Sequence, residues 1–189
     1  MNEALWYTAR GAGTISLILL TVVMVLGVGS RSGRPVFGLP RFGVAAVHRN
    51  ASLIVLGLLL VHMFSLLFDP YAQLRLVNLV IPFGATYRPF WLGLGTLAMD
   101  LLIVVWLSTL VRHRIGARAW RAIHWISYAI WPIALLHALF TGTDAGRLWM
   151  RAIAGGCLLL VSAAVIWRLS YTDTDQARTA PARTLDRTR

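Results

Sequence analysis

Five apolar runs dominate this 189-residue chain, at about 12–29, 44–67, 90–111, 119–140 and 148–169. Each approaches the ~20 residues an α-helix needs to cross a bilayer. A soluble domain carries roughly a quarter charged residues; here 58% of residues are hydrophobic and 13% charged. In lipid, backbone polar groups must be satisfied within the segment. The expected fold class is therefore all-α, a polytopic membrane helical bundle of about five transmembrane helices. A shorter apolar stretch, about 76–83 around Pro82, is too short to cross and is expected at the membrane interface. The polar segment Ser170–Arg189 has no apolar period and reads as a disordered tail.

All 18 basic residues are arginine and the net charge is +11. The absence of lysine reflects GC-rich coding. The arginines sit at the ends of apolar runs, where positive-inside topology and anionic lipid account for them; a nucleic-acid partner is not expected. Glu3 and Arg10 precede the first run, while Arg31, Arg34 and Arg41 follow it. That order favours a retained helix over a cleaved signal, with its N-terminus outside. Alternating from there puts thirteen arginines inside and five outside (Arg10, Arg75, Arg88, Arg147 and Arg151). The expected topology is N-out, C-in, multi-pass in the bacterial cytoplasmic membrane. The single cysteine, Cys157, excludes an internal disulfide and an iron–sulfur cluster held by this chain alone.

His48 and His62 fall in the second run, His124 and His137 in the fourth. These two helices are parallel in this topology. The spacings of 14 and 13 residues correspond to rises of about 21 and 20 Å, within a hydrocarbon core of about 30 Å. One level of paired imidazoles then falls in each leaflet. Fourteen residues rotate to within ~40° of four whole turns, so His48 and His62 share a face; thirteen leave His124 and His137 roughly 140° apart on an ideal helix. Pro132 lies between the second pair and can distort that helix, although its presence does not fix the sign of the distortion.

Imidazole is a good axial ligand for haem iron. Two such ligands fill both axial positions and leave outer-sphere electron transfer, and two haems stacked along the membrane normal make a path across the bilayer. Four histidines at matched depth favour this reading over interhelical hydrogen bonding. The alternative is a haem-free membrane scaffold or transporter subunit, with the histidines in packing or proton relay. His113, between Arg112 and Arg114, reads as a surface residue.

The pattern His48-x13-His62, then Trp120-Arg121-x2-His124-x2-Ser127-Tyr128 and His137, resembles the ferric reductase-like transmembrane domain. That superfamily includes ferric reductases, NADPH oxidases and the haem subunit of bacterial methionine sulfoxide reductase. The resemblance covers about residues 5–168. It implies two haem b, with His48 and His124 on the inner iron and His62 and His137 on the outer. Residues 1–169 would form the haem domain and 170–189 a cytoplasmic tail. Two departures stand out. Many members have six helices, and members with a flavin and nicotinamide domain continue well beyond the last helix. Here about 20 residues follow it, far short of the ~100–200 of a domain, and no flavin or nicotinamide is expected in this chain. The expected electron source is a separate flavin reductase or flavoprotein, or quinol, and the expected sink is an outer-side acceptor. Whether the chain is itself an oxidoreductase depends on whether the outer haem reduces that acceptor directly.

Arginine is the natural partner of a haem propionate. Arg49 and Arg121 neighbour the inner pair, and Arg10, in Ala9-Arg10-Gly11, resembles the family's arginine near the outer haem. Asp100, mid-way in the third run, reads first as a structural carboxyl.

Overall fold

The structure is a computed structural model that describes residues 3–30, 40–70, 72 and 74–179. Among these there are six α-helices and no strand. They are α1 (Glu3–Ser30), α2 (Arg41–Leu67), α3 (Pro89–Leu110), α4 (Arg112–His124), α5 (Ser127–Thr141) and α6 (Leu148–Thr179). Helices α1, α2, α3 and the Leu148–Ser170 part of α6 are each long and apolar enough to cross a membrane. Helices α4 and α5, bent by 42° at a short break, make a fifth span when taken together. The chain is a polytopic helical bundle whose apolar side chains face outward as well as inward. Ile54, Phe64, Leu107 and Leu159 are all exposed, which suits hydrocarbon and not water.

Helix α1 lies at the centre, against α2, α5 and α6, while α3 packs on α4 and α5. Small residues allow the close approach: Ala9, Ala12 and Ser16 are buried on α1. One apolar cluster joins Leu17 of α1, Trp131 and Leu135 of α5, and Met150, Ala154, Cys157 and Val161 of α6. The Trp131 Nε1–H donates to Thr21 Oγ1 at 2.9 Å, and the Thr21 hydroxyl donates to the Leu17 carbonyl. Both polar groups are thereby satisfied where no water reaches.

The stretch read as interfacial forms a short 3-10 turn at Leu76–Leu79. Leu76, Val77, Val80 and Ile81 are exposed, while Asn78 is buried and its carbonyl accepts from Thr96 Oγ1. Helix α6 continues to Thr179, well into the segment read as a disordered tail; residues 180–189 lie outside the described residues. Arg31 and Arg34 also lie outside them.

Candidate functional site

The four intramembrane histidines meet in two pairs. The ring centroids of His48 and His124 are 6.3 Å apart with planes at 63°; those of His62 and His137 are 6.5 Å apart at 82°. Because His48 meets His124 of α4 and His62, further along α2, meets His137 of α5, the second span and the broken span run parallel.

The winding of the broken span reduces the angular mismatch. Around the break, backbone N–H groups bond three residues back: Ile126 to Ile123, Tyr128 to Trp125 and Ala129 to Ile126, while the Trp125 N–H is shared between Ala122 and Arg121. About four residues wound at ~120° instead of ~100° add some 80° of rotation and ~2 Å of rise. The offset between His124 and His137 falls from roughly 140° to roughly 60°, and their rise grows to about 21 Å. Both values approach those of the straight fourteen-residue spacing in α2. The overwinding is centred ahead of Pro132, where Ser127 Oγ also donates to the His124 carbonyl.

Three of the rings are fixed in the same way. Nδ1 of His48 lies 3.1 Å from the Val23 carbonyl oxygen, Nδ1 of His62 2.7 Å from that of Ala9, and Nδ1 of His137 2.9 Å from that of Trp91. A carbonyl only accepts, so Nδ1 carries the proton and Nε2 keeps its lone pair, the arrangement of a metal-ligating imidazole. In each case a glycine stands four residues after the acceptor: Gly27, Gly13 and Gly95. A Cβ on Gly13 would fall 2.9 Å from the His62 ring, on Gly95 2.5 Å from the His137 ring, and on Gly27 3.4 Å from the His48 ring. The glycines let each imidazole lie against a helix surface and reach its carbonyl. His124 is held differently: Trp120, one turn earlier, stacks on it at 5.1 Å and 26°, and the Trp120 Nε1–H donates to Thr109 Oγ1 at 3.2 Å.

His62 and His137 line a cavity of about 580 Å³, in the size range of pockets that bury a whole small ligand. Arg10, Gly13, Ser16, Gly95 and Asp144 also line it. Arg10 forms an ion pair with Asp144 and lies 5.9 Å from the Trp6 ring centroid and 5.7 Å from that of Tyr7. The Ser16 hydroxyl and Arg10 Nε are buried and have no hydrogen-bond partner among the described residues, so this wall offers donors to a ligand. Arg49, Arg121 and His113 are exposed, the first two beside the His48/His124 pair in sequence. Asp100 is half-buried on α3.

The donor set suits haem. Among the described residues no group of three or more His, Cys, Asp or Glu side chains gathers to hold a bare ion. Two imidazoles per site are the right number for iron that brings its own equatorial ligands. A metal–nitrogen bond of ~2.0–2.1 Å plus ~1 Å from nitrogen to ring centre, doubled, gives roughly 6 Å between centroids, close to both observed separations. Sequence reading missed the three glycines, Asp144 and Ser16. The spacing of Gly13 and Gly27 repeats that of His48 and His62, a signal present in the sequence.

The fold is that of a transmembrane helical bundle that brings two histidine pairs together. Residues 12–135 match the family described as ferric reductase like transmembrane component, and the chain belongs to that family. The match takes in His48, His62 and His124 and stops just short of His137. Domains of this family typically bind haem and move electrons across membranes. No curated protein and no solved structure matches the chain.

Proposed function

We propose that the chain is a dihaem b-type membrane cytochrome that carries electrons across the bacterial cytoplasmic membrane. His48 and His124 would ligate one iron, and His62 and His137 the other. The observation that carries this reading is the pair of ring separations, 6.3 and 6.5 Å, at two levels about 21 Å apart along the helices. Haem held by these residues would supply one-electron ferric–ferrous chemistry. The residues of the chain do the rest. The Val23, Ala9 and Trp91 carbonyls hold three imidazoles in the ligating tautomer. Arg10, with Arg49 and Arg121 at the opposite end, would receive propionates, and the apolar helices exclude water.

In this proposal residues 1–169 are the haem domain, the topology is N-out and C-in, and electrons enter at the His48/His124 level. The donor is a separate flavoprotein or quinol, and the acceptor lies on the outer side. The detergent-purified protein is expected to carry close to two haems per chain, with the reduced spectrum of a six-coordinate low-spin b cytochrome. A well-folded, colourless preparation from haem-replete cells would favour a haem-free scaffold and end this reading.

A further inference from the structure

We propose that Arg112, Arg114 and Arg118, exposed on α4, form the docking surface for a soluble one-electron carrier protein with an acidic face. Helix α4 is unlike its neighbours: it buries no residue, and Arg112, Arg114 and Arg118 are all exposed on it, with His113. The sequence has no Asp or Glu between Asp100 and Asp144, so nothing on this helix neutralises the arginines. Gly116, at φ 78° and ψ 161°, interrupts the helix. It separates the Arg112–Arg114 turn from the turns that bear Arg118, Arg121 and His124, so the charges do not all follow one straight helix. Arg118 stands about 9 Å along the helix from His124. Between the patch and that histidine lies Trp120, stacked on the imidazole ring. Lipid headgroups would pair with arginines anywhere around the rim of the bundle; these arginines share a helix with a histidine of the site, where electrons must enter. Charge of one sign concentrated on such an entrance steers an oppositely charged partner and raises its association rate by ~10–1,000-fold at low salt.

The inference rests on the haem reading above and deepens it by naming the surface and the chemistry of the donor. In the redox step, one electron leaves the reduced carrier, which is oxidised by one equivalent, and one ferric haem becomes ferrous. The test uses the full haem-loaded chain in lipid nanodiscs, with photoreduced flavodoxin, an acidic flavoprotein, as probe. The wild-type rate of haem reduction is expected to fall steeply as salt rises, since the Debye length shortens to ~8 Å at 0.15 M. Replacing Arg112→Glu, Arg114→Glu and Arg118→Glu together should slow reduction at low salt by about tenfold or more and flatten the salt dependence. Reduction by photogenerated deazaflavin radical, which is uncharged, should not change, nor should the haem spectrum. If the triple reversal loses its haems, the matching Arg→Gln set decides, with an expected intermediate loss. An unchanged flavodoxin rate overturns the proposal. So does a variant whose only defect is weaker association with phosphatidylglycerol bilayers, which would assign the arginines to lipid. A wild-type chain without haem refutes the function itself, which separates the two failures.

Discussion

Gly95→Ala is the sharpest single test of how the histidines are held. A methyl group built there lies 2.5 Å from Cε1, 2.6 Å from Nδ1 and 2.8 Å from Nε2 of His137. Carbon contacts settle at ~3.5–4.0 Å, so the ring must retreat by about 1 Å. That shift stretches its 2.9 Å bond to the Trp91 carbonyl to nearly 4 Å, beyond any hydrogen bond. It also exceeds the ~0.2 Å tolerance of a metal–ligand distance. Overpacking of this kind costs ~1–3 kcal/mol, and loss of a bond that orients a ligand lowers metal affinity ~10–100-fold. The expected result is a protein with one haem in place of two, lost from the His62/His137 site and read as the haem-to-protein ratio in detergent. The other glycines grade the effect. Gly13→Ala, with its methyl 2.9 Å from the His62 ring, should lower occupancy of the same site. Gly27→Ala, at 3.4 Å from His48, should retain both haems, as should Gly57→Ala, which meets nothing within 4 Å. Full, spectrally unchanged haem content in Gly95→Ala would refute the idea that these glycines make room for the ligands.

Two further outcomes follow from the pairing and the topology. His48→Ala and His124→Ala should each remove the same haem, and the double variant should lose little more than either single, since members of one site are non-additive. His48→Ala with His62→Ala should lose both haems; loss of the same haem from His48→Ala and His137→Ala would contradict the parallel arrangement. A reporter fused after Arg168 should be active only in the cytoplasm, because the inner loops and the C-terminal segment hold thirteen of the eighteen arginines; periplasmic activity would reverse the orientation.

The bundle and the separation of the histidines along their helices were legible because each depends on length and spacing alone. A run of ~20 apolar residues has one outcome in lipid, and a rise of ~1.5 Å per residue turns residue numbers into distance along a helix. The azimuth of His137 was not legible. It depends on how the backbone is wound at Trp125–Ala129, a local choice that Pro132 hints at but does not determine. The ion pair of Arg10 with Asp144 was hidden for another reason: it joins the ends of α1 and the α5–α6 turn, far apart in sequence, and no periodicity links them. The glycines fall between these cases. Gly13 and Gly27 repeat the histidine spacing, yet their meaning emerges only once α1 lies antiparallel to α2 and sets Gly13 against His62 and Gly27 against His48. The segment after Ser170 misled by composition. Its polar residues suggest a coil, but α6 carries its helical winding on to Thr179.

The break between α4 and α5 sets the two histidine pairs apart. On one side of the bundle a single unbroken rod, α2, carries both His48 and His62 and fixes the distance between them. On the other side His124 and His137 ride on separate rods joined at Trp125–Ile126. A tilt of α4 about that joint alters the gap at His48 while the gap at His62 stays set by α5, which is locked into the core through Trp131 and Thr21. The two sites are thus mechanically independent at one coordinate. Movement of the short segment from Arg118 to His124 would therefore change the nearer pair first.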